Sequence, residues 1–401
     1  MKQKIINDPL LGFLSIPCGL LTDLVDHPYF QRLRHILQMG LSSYVYPGAI
    51  HSRLNHSLGC LMLMREALTT LRGKGVAISN EEYEACCTAI LLHDTGHGPF
   101  SHVLEGTVVS GDFIRHENFS LAIMQKLAKE FGDKYNATVF QTAISIFKNE
   151  YHKPFLHQLI SSQLDIDRLD YLNRDSFYTG VAEGAVGAQR IIRMMNVVND
   201  GLVLEEKGIY SLEKFILSRR LMYMQVYIHK TSLGAEQLLI RTVRRARELI
   251  LNGVPLFATD SFLFFLKRTI YLDDIDDNVL QHFLSLDDTD IWSSLKAWAL
   301  CNDLILRTFS EALLKRRLFK SILQNTPFEE NILDDLRAQF GKEFVFTEEI
   351  PVEIYKAGNE GIHILRKDGN IVDITSLSEL LNSEFVNKKE TKYLLCYPKK
   401  S

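Results

Sequence analysis

The sequence lacks a long apolar run, a paired-cysteine motif and a strong excess of either charge. No stretch of 18 apolar residues is free of charge, so we expect no helix that spans a membrane. The six cysteines never occur as Cys-x-x-Cys, which argues against a disulfide framework and favours reduced thiols in the cytoplasm. The net charge of −4 supplies no global positive field, so we do not expect a nucleic-acid partner.

Helical periodicity is the commonest pattern along the chain. With 401 residues, 46% of them hydrophobic and 23% charged, the composition is that of a globular protein with a large core. We predict a mainly α fold, with a helical-bundle body over residues 1–250 and a helical extension plus a small α+β tail over residues 251–401. Predicted helices cover about 26–40, 56–75, 80–93 (capped by Asn80), 117–131, 136–148, 155–176, 186–197 and 211–250. A β-hairpin is predicted at 200–211, helices again over 255–340, and strands from 344 onward.

Four histidines lie close together around the segment HDTGHGPFSH. His93 and Asp94 are adjacent at the end of an apolar helix, where Gly96 frees the chain to turn. A divalent metal needs neutral imidazole and carboxylate ligands that converge on one point, and this pair supplies both. The alternative is a His–Asp hydrogen bond in a core, which an isolated dipeptide would favour. The histidine-rich run that follows favours the interpretation as a metal site.

A second candidate region is the segment SSQLDIDRLDYLNRDSF, residues 161–177. On a helical wheel its carboxylates, guanidinium and phenol share one arc of about 100° while its leucines lie opposite. The residues of this arc are Asp167, Arg168, Tyr171 and Asp175. The alternative is a solvated helix face with pairs such as Asp170–Arg174, and the pattern does not decide between the two.

A third region is a stripe of two cations and two tyrosines at helical spacing. Its residues are Arg219, Tyr223, Tyr227 and Lys230. Cations with phenols between them suit a phosphate joined to a sugar or base. Tyrosines at this spacing are more often core residues whose hydroxyls find a partner, and that alternative stays open.

In their order along the chain, these segments resemble the HD-domain superfamily of metal-dependent phosphohydrolases. Within it, the chain is most similar to the deoxynucleoside triphosphate triphosphohydrolases, the branch with the vertebrate sterile-alpha-motif/HD-domain enzyme. The resemblance covers roughly residues 4–235 and rests on KIINDP, FQRLRHILQMG, HSRLNHSLG, HDTGHGPFSH, RHEN, DIDRLDYLNRD and the segment 219–230. It implies an HD-domain helical bundle as the core of the fold.

The resemblance implies roles for four groups of residues. The implied metal ligands are His56, His93, Asp94 and Asp167. The implied catalytic residues are His116, His97 and Glu105. The implied substrate contacts are Gln38, Met39, Arg53, His97, His102, Arg168, Tyr171, Asp175, Arg219 and Tyr227. The residues that match an activator-nucleotide site between subunits are Lys4, Ile5, Asn7, Asp26, Gln31 and Arg34.

Three positions depart from the family pattern. Glu105 stands where the family usually has Asp, so we expect an altered proton relay there. Arg168 stands where the vertebrate enzyme has Lys, which keeps the charge and changes the hydrogen-bond geometry. Ile228 replaces a Gln near the base, which leaves the base preference open.

The activity implied is hydrolysis of a dNTP by water attack at the α-phosphorus, which releases deoxynucleoside and triphosphate. The implied cofactor is one divalent transition metal (Mn, Fe, Zn or Ni), with Mg²⁺ as a candidate companion of the substrate phosphates. GTP or a dNTP is the candidate activator, and a homodimer or homotetramer is implied. The alternative for the activator residues is fold maintenance, with Asp26 as a helix N-cap and Arg34 in an intrahelical pair.

Two other functions remain open on the sequence. One is an HD phosphohydrolase that acts on nucleoside monophosphates or a phosphodiester. The other is a catalytically silent HD module that senses nucleotides or binds a partner.

Overall fold

The computed structural model describes residues 3–109, 114–352, 355–356, 360–381 and 390–399, and it confirms the predicted mainly α fold with a small α+β tail. The helices are α1 Leu20–Asp26, α2 Pro28–Gln31, α3 Arg53–Gly73, α4 Asn80–Leu92, α5 His116–Phe131, α6 Ala137–Phe147, α7 Pro154–Gln158, α8 Ile166–Thr179, α9 Ala188–Met194, α10 Ile209–Met222, α11 Lys230–Leu251, α12 Asp260–Leu266, α13 Asp277–Leu284, α14 Asp288–Trp298, α15 Leu304–Leu314 and α16 Glu330–Phe340. The strands are β1 Gln3–Asp8, β2 Gly12–Pro17, β3 Met195–Val198, β4 Gly201–Glu205, β5 Lys320–Gln324, β6 Phe346–Val352, β7 His363–Leu365, β8 Ile371–Asp373 and β9 Glu390–Tyr397.

The N-cap of helix α4 lies one residue before the predicted cap, Asn80. The Ser79 hydroxyl accepts the amide of Glu82 at 3.1 Å, and the Glu82 carboxylate accepts the amide of Ser79 at 2.7 Å. This reciprocal pair satisfies two amides that the helix itself leaves unbonded. Ser79 is therefore the N-cap, and the prediction of Asn80 was wrong by one position.

The helix predicted over 155–176 is two helices. Helix α7 ends at Gln158 and α8 begins at Ile166, because Asp165 turns inward and caps the second helix. Its carboxylate accepts the amide of Arg168 at 2.7 Å and that of Ser162 at 2.8 Å. The interruption sets the direction of α8, whose first turn faces the candidate site.

The helix predicted over 26–40 is shorter than expected. Only α2 is α-helical, and a 3₁₀ turn over Arg32–His35 follows it. Arg32 is buried and donates from Nε to the backbone oxygen of Leu286 at 2.6 Å, which draws the chain inward before a helix can continue. His27 caps α2, and Asp26 is the last residue of α1 rather than an N-cap.

The segment predicted as one helix over 211–250 bends between α10 and α11. A π-helical turn over Tyr223–Tyr227 ends the first part, and His229 caps the second part through the amide of Thr231 at 3.2 Å. The predicted stripe is therefore not continuous, because Lys230 opens a new helix. Such π turns occur often at functional sites.

The β-elements form three small sheets with strand orders β1-β2, β3-β4-β7-β8 and β5-β9-β6. The hairpin predicted at 200–211 lies earlier, because β3 and β4 turn at Asn199 and Asp200, both with positive φ. Strand β4 pairs in parallel with β7 of the tail. The β1–β2 hairpin and β5 had no counterpart among the predicted elements.

One hydrophobic cluster joins the body to the tail, from Leu14 in β2 to Cys396 in β9. The boundary near residue 250 stays a prediction, although α11 ends at Leu251. Among the described residues, no helix combines the length and apolar character needed to cross a bilayer.

Candidate active site

The four predicted metal ligands lie together between α3, α4 and α8, and we call them the ligand ring: His56, His93, Asp94 and Asp167. His56 Nε2 lies 3.0 Å from Asp167 Oδ1 and 3.7 Å from Asp94 Oδ2. His93 Nε2 lies 3.3 Å from Asp94 Oδ1 and 3.9 Å from Asp167 Oδ1. These contacts close a ring. Within it, ligand atoms of His56, His93 and Asp167 lie within 4.8 Å of one another together with Cys60, while Asp94 adjoins this group through its contacts to both histidines.

Both imidazoles of the ligand ring are oriented through Nδ1. His56 Nδ1 donates to Asp170 Oδ2 at 2.8 Å, and His93 Nδ1 donates to the backbone oxygen of Ile90 at 2.6 Å. Each Nε2 therefore presents its lone pair to the ring. His93 Nε2 is buried and makes no hydrogen bond within the part of the chain that the structure describes. A metal ion would satisfy this orphaned acceptor, so the donor set fits a divalent transition metal.

Positive charge surrounds Asp94. Arg53 Nη1 lies 2.5 Å from Asp94 Oδ2, and Arg53 Nε donates to the Ser101 hydroxyl at 2.6 Å. Burial acts to raise the pKa of Asp94, but the neighbouring His93 and Arg53 hold it well below its usual value. The carboxylate is thus ionised at neutral pH, as a metal ligand must be.

The three histidines of the predicted catalytic and phosphate-binding set cluster beside the ligand ring. The rings of His97 and His116 stack with centroids 3.9 Å apart, and His102 meets both edge-on. Glu105 accepts from His102 Nδ1 at 3.0 Å and lies 3.3 Å from His116 Nδ1. His97 Nε2 lies 3.3 Å from Asp94 Oδ1, which connects the cluster to the ring.

The members of this cluster differ in proton affinity. Burial and the nearby Arg53 lower the pKa of His97 well below its usual value, so it is neutral at pH 7. Burial also acts to lower the pKa of His116, but the hydrogen bond to Glu105 outweighs it and raises that pKa. An imidazole with a lowered pKa and one with a raised pKa therefore stack against each other, an arrangement suited to holding a proton for transfer.

Two further arginines lie near Tyr171. Arg168 Nη1 pairs with Asp165 Oδ2 at 3.0 Å, and Arg219 Nη1 donates to Gln163 Oε1 at 3.1 Å. Their partners, Asp165 and Gln163, are two positions apart in the loop before α8, which brings the two guanidiniums into the same region. Burial lowers the pKa of Arg219, and the charge of Arg168 acts in the same direction. Two cations held together in a partly buried place favour a ligand with several negative charges.

Asp175, one of the predicted substrate contacts, is the centre of a small hydrogen-bonded group. Asp175 accepts from Tyr227 at 2.8 Å and lies 2.8 Å from His51 Nε2. Tyr171 meets Tyr227 edge-on, with centroids 6.2 Å apart. Gln38 and Met39 lie where the chain approaches this group, since the amide of Gln38 donates to the backbone oxygen of His51 at 3.0 Å.

A family model described as the HD domain matches residues 53–175, and one described as an HD associated region matches residues 186–254. The crystal structure of a phosphohydrolase from Bacteroides thetaiotaomicron superposes with a TM-score of 0.94 and 48% identity, covering 99% of this chain and 100% of that one. The uncharacterised protein YwfO of Bacillus subtilis is 31% identical over 99% of this chain and 93% of its own length.

The chain belongs to the HD-domain phosphohydrolase family. The matched HD range begins at Arg53 and ends at Asp175, so it contains the whole ligand ring. The deoxynucleoside triphosphate triphosphohydrolase SAMHD1 homolog of Dictyostelium discoideum is 31% identical over 59% of this chain and 48% of its own length. This chain thus spans about half of that relative. The predicted resemblance to this branch is confirmed.

Sequence reasoning missed three residues of this HD phosphohydrolase site: His51, Cys60 and Asp170. Cys60 follows His56 by one helical turn, a spacing that could have pointed to it. Its Sγ lies 3.5 Å and 3.6 Å from the two ring nitrogens of His56, so it is not aligned with the Nε2 lone pair. Burial raises the pKa of this thiol, which keeps it protonated and makes it a packing partner of the imidazole.

The residues that match an activator site gather on one side of the HD phosphohydrolase, around the β1–β2 hairpin. Lys4 pairs with Asp26, and Gln31 accepts from Arg34 Nε at 2.6 Å. Ile5 and Asn7 project from the same hairpin, and Ile5 is 65% exposed. The alternative of fold maintenance is wrong for Asp26 as an N-cap, whereas the Arg34 pair is present.

Proposed function

We propose that this HD phosphohydrolase converts a deoxynucleoside triphosphate into deoxynucleoside and triphosphate. The observation that carries the proposal is a set of three arginines. Arg53 bonds to Asp94 of the ligand ring, and Arg168 and Arg219 bond to Asp165 and Gln163 in the loop before α8. A monoester needs fewer cations than a triphosphate, so this set favours the more highly charged substrate. The name of the Dictyostelium relative supports the same class.

Different side chains of the candidate site would carry out different parts of such a reaction. A water attacks the α-phosphorus and gives up a proton to the solvent, the bond from that phosphorus to the 5′ oxygen breaks, and the 5′ oxygen takes up a proton. His116 holds that proton, since Glu105 raises its pKa. Arg53, Arg168 and Arg219 stabilise the negative charge on the triphosphate that leaves. A divalent ion held by the ligand ring would polarise a phosphoryl oxygen and lower the pKa of a coordinated water.

The chemical identity of the reaction products distinguishes this function from its alternatives. Each of the four dNTPs is incubated with the protein in Mn²⁺, Mg²⁺ or Fe²⁺, and the phosphorus-containing products are separated by chromatography. We expect intact triphosphate and deoxynucleoside. Orthophosphate, or turnover of monophosphates alone, would support the other HD phosphohydrolase activities. Binding of a dNTP without any product from the metal-loaded protein would support a silent sensor.

Glu105→Gln is expected to move the alkaline limb of the pH profile of kcat to lower pH. The Glu105 charge raises the pKa of His116, so its removal lets His116 lose its proton earlier as pH rises. The shift expected is roughly one pH unit. Glu130→Gln is the matched control, because Glu130 makes a similar pair with His27 far from the site. A limb that stays in place in Glu105→Gln would show that His116 is not the proton donor.

We also propose a homo-oligomer and an activator role for the surface around the β1–β2 hairpin. Lys4 and Asp26 pair with each other there, so a guanine nucleotide that uses Asp26 must compete with Lys4 for it. Repeating the product assay with and without GTP tests the activator. Light scattering of the same samples gives the number of subunits.

A further inference from the structure

Buried charged groups connect the N-terminal hairpin to the ligand ring. Asp8, the last residue of β1, pairs through Oδ2 with Arg174 Nη1 at 2.8 Å. Arg174 Nε donates to Asp170 Oδ2 at 2.8 Å, and the same oxygen accepts from His56 Nδ1 at 2.8 Å. Asp8, Asp170, Arg174 and His56 are each at most 3% exposed. The pair Asp170–Arg174 is thus not part of a solvated helix face, because it lies in the core.

The two oxygens of Asp8 divide their shorter contacts between the turn and Arg174, whose Nη2 also lies 3.5 Å from Oδ1. Oδ1 accepts the amides of Leu10 and Leu11, at 3.0 Å and 2.8 Å, which fixes the turn between β1 and β2. Oδ2 faces Arg174. A substitution by Asn can keep the acceptor for the turn while it removes the negative charge that Arg174 faces.

Helix α3 packs closely against the Asp170–Arg174 pair at Gly59. A Cβ atom on Gly59 of α3 would lie 2.0 Å from Asp170 Oδ1 and 2.3 Å from Arg174 Nη2. Only glycine therefore lets α3, which carries His56, approach the pair this closely. Two carboxylates share one guanidinium here, which leaves a net negative charge buried under His56. Such charge is costly in a core unless it has a partner, and a cation on the far nitrogen of His56 is the partner nearby.

We propose that Asp8 is a positioning residue for the metal ligand His56. Asp8 fixes Arg174, Arg174 fixes the Asp170 carboxylate, and that carboxylate sets the ring plane and the Nδ1 proton of His56. The β1–β2 hairpin thereby belongs to the active site although it lies outside the matched HD range. This inference rests on the proposed role of His56 in binding a metal.

The competing explanation is that Asp8 only anchors the hairpin, and metal affinity separates the two. Protein stripped with a chelator is titrated with Mn²⁺ in the absence of nucleotide, and free Mn²⁺ is followed by electron paramagnetic resonance. We expect Asp8→Asn to raise the dissociation constant for Mn²⁺ roughly tenfold. This is the low end of the effect seen when a group that orients a metal ligand, without touching the metal, is removed. Asp8→Glu keeps the charge and is expected to recover most of the affinity.

Leu14→Ala is the matched control, because Leu14 is a buried residue of the same hairpin with no link to Arg174. It is expected to lower the melting temperature and leave Mn²⁺ affinity unchanged. If Asp8→Asn and Asp8→Glu both bind Mn²⁺ as the wild type does, Asp8 is only an anchor. If Asp8→Asn does not fold, Asp8→Ser replaces it, since its hydroxyl can accept a hydrogen bond from the turn but carries no charge. Weaker binding by Asp8→Ser than by Leu14→Ala still supports positioning, and equal binding contradicts it. Wild-type protein that binds no Mn²⁺ under these conditions would contradict the metal site itself.

Discussion

Alanine in place of His56 or Asp167 is expected to remove the bound metal and to abolish measurable phosphohydrolysis. The two side chains lie 3.0 Å apart in the ligand ring and belong to different helices, so neither can replace the other. Loss of the ion removes several kcal/mol of stabilisation from the transition state, on the order of a 10³-fold loss of rate. Metal content by plasma mass spectrometry and triphosphate release, measured on the same samples, test the expectation.

His152→Ala is the control for these variants, because it removes an exposed imidazole far from the ligand ring. It is expected to keep the metal content and the rate of the wild type. If His56→Ala and Asp167→Ala retained a full complement of metal, the ion would be bound elsewhere. Circular dichroism of each variant separates loss of the ion from loss of the fold.

The ligand ring was predictable because its members lie in short motifs with a recognisable order. The contacts that orient these ligands could not be predicted from the sequence. Asp170 reaches His56 across 114 positions of sequence, and on a helical wheel it looked like half of a surface ion pair with Arg174. Sequence periodicity reports which residues share a helix face, and it does not report what packs on that face. Burial of Asp170 and Arg174 depends on Gly59 and Asp8, which come from distant segments.

The errors in the predicted secondary structure also arise from tertiary contacts and from weak periodicity. The loop between α7 and α8 carries Leu159, Ile160 and Leu164, which are buried and continue the helical spacing through residues that are not helical. The inward turn of Asp165 ends that pattern, and this depends on tertiary contacts. The β1–β2 hairpin was missed because its strands, QKIIND and GFLSIP, do not alternate between apolar and polar residues. Long helices such as α3 were predictable because their period repeats over several turns.

The structure explains what Glu105 does at a position where the family usually has Asp. Its carboxylate reaches His102 and His116 together, and its Oε1 accepts the amide of His116 at 2.7 Å. A shorter Asp side chain at this place would have less reach toward both rings. Its pKa is held low by the hydrogen bonds from these histidines, which outweigh the effect of burial. The charge that raises the pKa of His116 is therefore present throughout the physiological range.

His116→Ala is expected to lower kcat by roughly 10²- to 10⁴-fold while the metal content stays that of the wild type. The reason is chemical: the 5′ oxygen of a deoxynucleoside is a poor leaving group unless it is protonated as the bond breaks. The defect should therefore depend on the substrate. With p-nitrophenyl triphosphate, whose phenolate leaves without a proton, His116→Ala should recover most of the wild-type rate. An equal defect on both substrates would show that His116 positions the phosphates instead, and a loss of metal would place it in the ligand ring.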